Sequence, residues 1–334
     1  MSFREIFTKT WGLLFVGIIV GFGAAFLIQK MLVSKEDETK DAFSLSETRA
    51  GGYKFINPLL ECDDFNSEGE VAISSMRQEI ENYINDAKAT GAASHASVYF
   101  RSLNNGAHLG IKSDERYAPA SLLKVPYLLL AFKRAQETPS FLQKKILFNK
   151  RLGGIAPNIT DTGLVVLGKS YSVEELVYKM IVHSDNDAKD MVVSLFTDAD
   201  VMQMLAEMGL VIPNATNENE IMSVKEYAAF FRILYNATYL NRTYSEKALQ
   251  LLSQTTFKGG LLAGLPEGTV VAHKFGERGF FNSNIVQLHD CGIVYVNNNP
   301  YLLCVMTRGT DFQQLGRIIA DISAIVYKNV SVKI

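Results

Sequence analysis

The chain has 334 residues, with 33 Lys+Arg against 35 Asp+Glu, a formal net charge of −2 and 48% hydrophobic residues. These are ordinary values for a globular protein of one large domain or two small ones, at roughly 150 residues per domain. They exclude a disordered chain, a collagen-like repeat and a disulfide-dense scaffold, and the lack of a basic surplus argues against a nucleic-acid partner.

A mean hydropathy of +0.07 points to one very apolar segment. Trp11 to Ile28 supplies it: eighteen residues without a charge, rich in Leu, Ile, Val, Phe and Gly. As a helix this run rises about 27 Å, close to the hydrocarbon thickness of a bilayer. Arg4 and Lys9 precede it and Lys30, Lys35 and Lys40 follow it, so flanking charge does not orient it. The short N-terminal side favours a signal-anchor with the bulk of the chain exported. A cleaved signal peptide is the alternative, with Gly23-Ala24-Ala25 as its small-residue site, although the apolar run continues past that site. The expected organisation is a single-pass membrane anchor at residues 1–33, a tether at 34–75 and a folded domain at 76–334. That domain would lie outside the cytoplasm, in the periplasm or at the cell surface. The tether opens with the charge run Lys35 to Asp41, and its apolar stretch Tyr53 to Leu60 is suited to docking on the domain.

Beyond the tether, Met76 to Ala89 carries Ile80, Tyr83, Ile84 and Ala87 at helical spacing. Ala96–Phe100 and Ala107–Ile111 flank Asn104-Asn105-Gly106, a hairpin signal. A helix is expected from Ser121 to about Ala135, and Ser172-Val173-Glu174-Glu175 is a capping box opening another through about His183. Asp187–Phe196, Asp200–Met208, Ser223–Tyr235 and Ser245–Gln254 also read as helices. Val270–His273, Gly292–Val296 and Tyr301–Met306 read as strands, and Gln313–Tyr327 as a closing amphipathic helix. Cys62, Cys291 and Cys304 lack C-x-x-C spacing; Cys291 and Cys304 flank a predicted turn at Asn297–Pro300, which would let them face each other, with two buried thiols as the simpler reading and a disulfide left open. The order implies an α+β fold: one antiparallel sheet assembled from both ends of the domain and flanked by N- and C-terminal helices. An all-helical lobe is inserted between the two halves, leaving a cleft where sheet edge meets lobe.

The five histidines show no metal spacing, and no phosphate loop, dinucleotide fingerprint or G-x-S-x-G elbow is present, so neither a metal nor a cofactor is expected. Three short patterns carry chemistry. In Ser121-Leu122-Leu123-Lys124, an i,i+3 spacing lets the amine reach the hydroxyl. Desolvation by neighbouring Leu and Val would lower the lysine pKa towards that of a base. Alone, this pattern is equally a surface helix start with Lys124 snorkelling. Ser184-Asp185-Asn186 offers a hydroxyl for proton relay and an amide for a carbonyl or amine; alone, it is a polar loop capping the next helix through Asn186 or Asp187. His273-Lys274-Phe275-Gly276 ends a predicted strand, where Lys274 supplies positive charge and Gly276 admits close backbone approach. Lys258-Gly259-Gly260 is a rival K-x-G in a loop.

Together and in this order, S-x-x-K, S-D-N and K-x-G resemble the class A β-lactamase and penicillin-binding protein family over roughly Ile80 to Tyr327. The resemblance implies Ser121 as acylating nucleophile, Lys124 as its activating partner and Ser184 as proton shuttle. It also implies Asn186 as a substrate-amide contact, Lys274 and Gly276 at the substrate, and the backbone N–H groups of Ser121 and Glu277 as oxyanion hole. The implied substrates are β-lactams or peptidoglycan stem peptides ending in D-alanyl groups. Two departures stand out. The E-x-x-L-N pattern, whose Glu activates the deacylating water in class A β-lactamases, is missing from Leu210–Ile221, although Glu218 and Glu220 are there. A persistent acyl-enzyme is expected in consequence. And Phe275 stands where Thr or Ser usually follows the strand Lys, leaving Arg278 as a rival carboxylate donor. A true β-lactamase with another deacylation base and a catalytically idle cell-wall-binding module are the alternatives.

Overall fold

The structure, a computed structural model, describes residues 47–49, 51–62, 68–151, 159, 164–210, 220–280, 283–296 and 299–331, all within the unit Leu45–Ile334. The apolar run 11–28 and most of 210–221 lie outside the described residues. Among those described, no helix is long and apolar enough to cross a membrane.

In chain order the elements are β1 (Glu47–Arg49), β2 (Leu59–Cys62), α1 (Glu68–Ala89), β3 (His95–Ser102), β4 (His108–Ile111) and β5 (Arg116–Tyr117). A 3₁₀ turn over Ala120–Leu123 leads into α2 (Lys124–Glu137), then β6 (Lys145–Leu147), β7 (Ser170–Ser172), α3 (Val173–Val182), α4 (Asn186–Val193) and α5 (Asp198–Glu207). β8 (Met222–Ser223), α6 (Val224–Asn236), α7 (Arg242–Leu252), β9 (Val270–Gly279), β10 (Val286–Tyr295), β11 (Tyr301–Gly309) and α8 (Phe312–Ser331) complete it.

Five strands form one antiparallel sheet in the order β4-β3-β11-β10-β9, so both ends of the domain meet in it and β9 is an edge. The central strands are apolar on both faces because both are covered. Along β11, Leu303 and Val305 face a core shared with Met76 and Ile80 of α1 and Ile318, Ile319 and Ile322 of α8. Their neighbours Leu302, Cys304 and Met306 face the lobe core with Leu128, Leu129 and Phe132 of α2 and Phe230 and Phe231 of α6. The expected α+β arrangement is therefore present, with one correction. The lobe side is not all helical, because β5 pairs β8 and β6 pairs β7 as short antiparallel ladders.

Other expectations need correcting at the element ends. β9 runs on to Gly279 instead of stopping at the Lys274 motif, and β10 begins at Val286, six residues before Gly292. Gln287, His289 and Asp290 break the apolar pattern there, yet all three are buried with hydrogen-bond partners and stay in the ladder. α7 starts at Arg242, capped by Asn241. Cys291 and Cys304 are not separate thiols. The β10–β11 register sets them opposite one another with Cα atoms 4.0 Å apart, and they form a disulfide.

Part of the apolar stretch 53–60 packs on the domain, and α1 begins at Glu68, within the span expected to be tether. Phe55 and Ile56 are buried, and the Glu246 carboxylate accepts the consecutive N–H groups of Lys54, Phe55 and Ile56 at 3.0–3.2 Å. The Tyr295 hydroxyl donates to the Phe55 carbonyl at 2.9 Å.

Candidate active site

Ser121 sits in the 3₁₀ turn preceding α2, not on the α-helix itself. Proline at 119 and the positive φ of Ala120 (+49°) shape this turn. The strand edge presses against it: a Cβ on Gly276 would lie 2.7 Å from the Pro119 carbonyl oxygen and 3.2 Å from the Leu122 nitrogen. Only glycine lets β9 come this close, and the approach sets Glu277 beside the Ser121 turn.

Two side chains of β10 grip the start of the same segment. The Gln287 Oε1 accepts the Ala118 N–H at 3.0 Å, and the His289 Nε2 donates to the Ala118 carbonyl at 3.1 Å. His289 Nδ1 accepts the Thr307 N–H at 3.2 Å, which fixes the tautomer. Complete burial holds the His289 pKa down at about 3, so the imidazole is neutral. Downstream, the buried Tyr227 hydroxyl donates to the Leu122 carbonyl at 2.9 Å. None of these three residues belongs to one of the three short sequence patterns. The available signal was polar side chains at alternate positions 287 and 289 of an otherwise apolar stretch.

Lys124 begins α2, one turn beyond Ser121, and is 2% exposed. Its Nζ lies 2.9 Å from Ser121 Oγ, 2.6 Å from the Ser184 carbonyl, 3.0 Å from Ser184 Oγ and 2.8 Å from Asn186 Oδ1. Burial, then the positive charge of Lys189, pulls its pKa down to about 7 against the opposing influence of Asp185, Asp190 and Glu277. The acceptor set suits a neutral amine. The carbonyl of Ser184 and the Asn186 amide oxygen take its two N–H groups, and its lone pair is left for a hydroxyl proton.

Ser184 adopts φ +57° at the end of α3, which turns the chain so that both its carbonyl and its hydroxyl meet Lys124. Asp185, rather than Asn186 or Asp187, caps α4: one carboxylate oxygen accepts the Ala188 N–H at 2.7 Å and the other the Leu164 N–H at 3.0 Å. That frees the Asn186 side chain for Lys124. Lys274, wholly buried on β9, donates to the same Ser184 Oγ at 2.9 Å and to the Phe275 carbonyl at 3.1 Å. Desolvation, then the charge of Lys124, holds its pKa well below the ordinary lysine value.

Five of the expected residues, Ser121, Lys124, Ser184, Asn186 and Lys274, thus form one connected cluster, with Gly276 packed on its turn. The Glu277 carboxylate accepts the Ile159 N–H at 3.0 Å. The Arg278 guanidinium lies over the Phe280 ring at 5.4 Å, about 13 Å of extended strand beyond Lys274. The rival Lys258-Gly259-Gly260 lies in the loop after α7; there Gly260, at φ +59°, leaves room for the Asp290 carboxylate, and its motif adds nothing to the cluster. Among the described residues, no His/Cys/Asp/Glu group is arranged to hold a metal ion.

The sequence model of the β-lactamase enzyme family matches residues 75–330, more than three-quarters of the chain. The chain belongs to that family. As a member it is a serine hydrolase by class. The β-lactamase VEB-1 of Pseudomonas aeruginosa is 22% identical over 245 residues, covering 66% of this chain and 80% of that protein. Among solved structures, a point mutant of PBP-A, captured as an acyl-enzyme with penicillin G, superposes with a TM-score of 0.65. It is 24% identical, and the match covers 78% of this chain and 97% of that one. The TLA-1 extended-spectrum β-lactamase superposes at 0.67, with 21% identity and coverage of 77% and 98%. At these identities the solved structures attest the β-lactamase-like fold.

Proposed function

We propose that this protein forms an acyl-enzyme through Ser121 with β-lactams or D-alanyl peptides and releases the acyl group slowly. The supporting observation is the short-range contact of Lys124 Nζ with Ser121 Oγ, in a lysine whose pKa lies near 7. Neutral Lys124 takes the Ser121 proton as Oγ attacks the substrate carbonyl carbon. The Ser121 and Glu277 backbone N–H groups, brought together by the contact of Gly276 with the turn, stabilise the oxyanion. Ser184 Oγ, between Lys124 and Lys274, passes a proton to the leaving nitrogen and is resupplied through Lys124. Asn186 steadies Lys124 and the substrate amide.

Slow release follows from the missing E-x-x-L-N glutamate: water needs its own base to attack the ester. An N-terminal anchor with the domain outside the cytoplasm belongs to the same proposal. The Cys291–Cys304 disulfide supports it, because such bonds persist in oxidising compartments.

Intact-mass measurement of the full-length protein with a reporter penicillin tests the reading. A lasting adduct that Ser121→Ala abolishes is the expected result. Rapid adduct turnover with hydrolysis would instead indicate an efficient β-lactamase, and no adduct at any concentration would remove the enzymatic reading.

A further inference from the structure

The β6–β7 ladder carries a surface that the proposed chemistry does not use. Between Thr138 and Val173 the sequence holds Lys144, Lys145, Lys150, Arg151 and Lys169 against one acid, Asp161, in a chain of net charge −2. Strand alternation turns Ile146 towards the lobe core and Lys145 and Leu147 outwards, and Leu147 is 53% exposed. Ahead of β7 the chain turns at Val166–Lys169, closed by the Lys169 N–H on the Val166 carbonyl at 3.1 Å, with Gly168 at φ +82°. Val166 and Leu167 stand 48% and 52% exposed on this turn. The Gly168 N–H donates to the Phe148 carbonyl at 2.8 Å, which keeps the turn beside the end of β6. Two of the cations have acidic partners: Lys145 lies 3.1 Å from Glu175, and Arg151 3.5 Å from Asp187. Lys144, Lys150 and Lys169 are exposed and have no ion-pair partner among the described residues.

Exposed apolar side chains beside unpaired cations fit an anionic bilayer surface. Ammonium groups meet the lipid phosphates while leucine and valine enter the boundary of the acyl chains. A soluble polyanion would satisfy the lysines but would leave the three apolar side chains in water. The point where the N-terminal segment docks is two ion pairs from β6. Glu246 of α7 accepts the Lys54 N–H at 3.0 Å, and Lys247 beside it lies 2.5 Å from Glu174. Glu175, next to Glu174 at the start of α3, is the partner of Lys145. We propose that the β6–β7 turn rests on an anionic lipid bilayer, with Leu147, Val166 and Leu167 in its interface and Lys144, Lys150 and Lys169 on its phosphates. The proposal takes from the N-terminal anchor proposed above only the nearness of a bilayer.

Trp11 is the one tryptophan of the chain, so Leu167→Trp on a Trp11→Phe background reports a single position. The full-length variant is mixed with phosphatidylcholine vesicles or with vesicles half phosphatidylglycerol, its association is checked by flotation, and its emission is quenched with brominated lipid. The expected result is quenching at least threefold stronger in the anionic vesicles. Salt at about 1 M, where the screening length is near 3 Å, should bring it down to the zwitterionic value. So should Lys144→Glu, Lys150→Glu and Lys169→Glu combined. If the tryptophan variant does not fold, Val166→Trp on the same background gives the same reading. Protein that floats with both vesicles but is unquenched, or equally quenched, in both overturns the proposal and leaves the anchor standing. Flotation and quenching with anionic vesicles alone support the proposal and remove the anchor. No flotation with either overturns both. Retention on a soluble anionic polysaccharide, with emission that lipid does not quench, overturns the proposal in favour of a polymer.

Discussion

At the scale of single residues, the proposed reaction turns on the pKa of Lys124. A lysine ammonium near 7 is lowered from its ordinary value, so the neutral form, which is the base, gains population as pH rises through 7. The rate of Ser121 acylation should therefore climb between about pH 6 and 8 and level off above that. Lys124→Arg keeps a positive charge and hydrogen-bond donors but cannot lose a proton in this range. It should lower the acylation rate by about 10²- to 10⁴-fold and erase the rising limb. A pre-steady-state acylation profile that is flat from pH 5 to 9 in the unaltered protein would sink the assignment of Lys124 as base.

At the scale of elements, the Ser121 turn is held from β10, a strand far from it in sequence. Gln287 takes the Ala118 N–H, His289 supplies the Ala118 carbonyl, and Tyr227 of α6 secures Leu122 beyond Ser121. His289→Leu leaves a buried carbonyl without its donor, at a cost of about 1–3 kcal/mol, and lets the turn relax. The expected outcome is acylation slowed by tenfold or more with little change in substrate affinity. His289→Gln, which restores an N–H donor, should recover most of the rate. Loss of affinity with an unchanged acylation rate would contradict a positioning role. The same strand explains what the sequence could and could not reveal. The Ser121–Lys124 contact and the Ser172 capping box are formed between residues three apart, so local spacing exposes both. The partners of Gln287 and His289 lie about 170 residues away, and their polarity hid the first half of β10. The disulfide was legible only as two cysteines on either side of a turn: thirteen apart, they pair once the hairpin register is known. The role of Asp185 as cap was hidden by three neighbouring residue types that all cap helices well.

At the scale of the whole molecule, the segment 54–56 is fastened to parts of the chain far from it in sequence. Residues 54–56 turn three consecutive N–H groups to the Glu246 carboxylate on α7, while Phe55 and Ile56 enter the lobe core and Tyr295 of β10 holds the Phe55 carbonyl. One carboxylate thus fastens the segment to the lobe, and an adjacent hydroxyl fastens it to the sheet. Hydrogen bonds to a charged acceptor contribute about 1.5–3 kcal/mol each when one partner is removed and the other stays buried, less where water can replace it. Glu246→Ala should consequently lower the melting temperature by several degrees, since about 1 kcal/mol corresponds to roughly 2–4 °C in a domain of this size. It should also speed limited proteolysis within residues 51–58, where the backbone loses its acceptor. Acylation of Ser121 should be unaffected, because neither Glu246 nor the segment touches the Ser121–Lys124–Ser184 cluster. A Glu246→Ala protein that melts and resists protease like the unaltered chain would show that burial of Phe55 and Ile56 alone holds the tether. A matching loss of acylation would mean instead that the lobe transmits the release of the tether to the site.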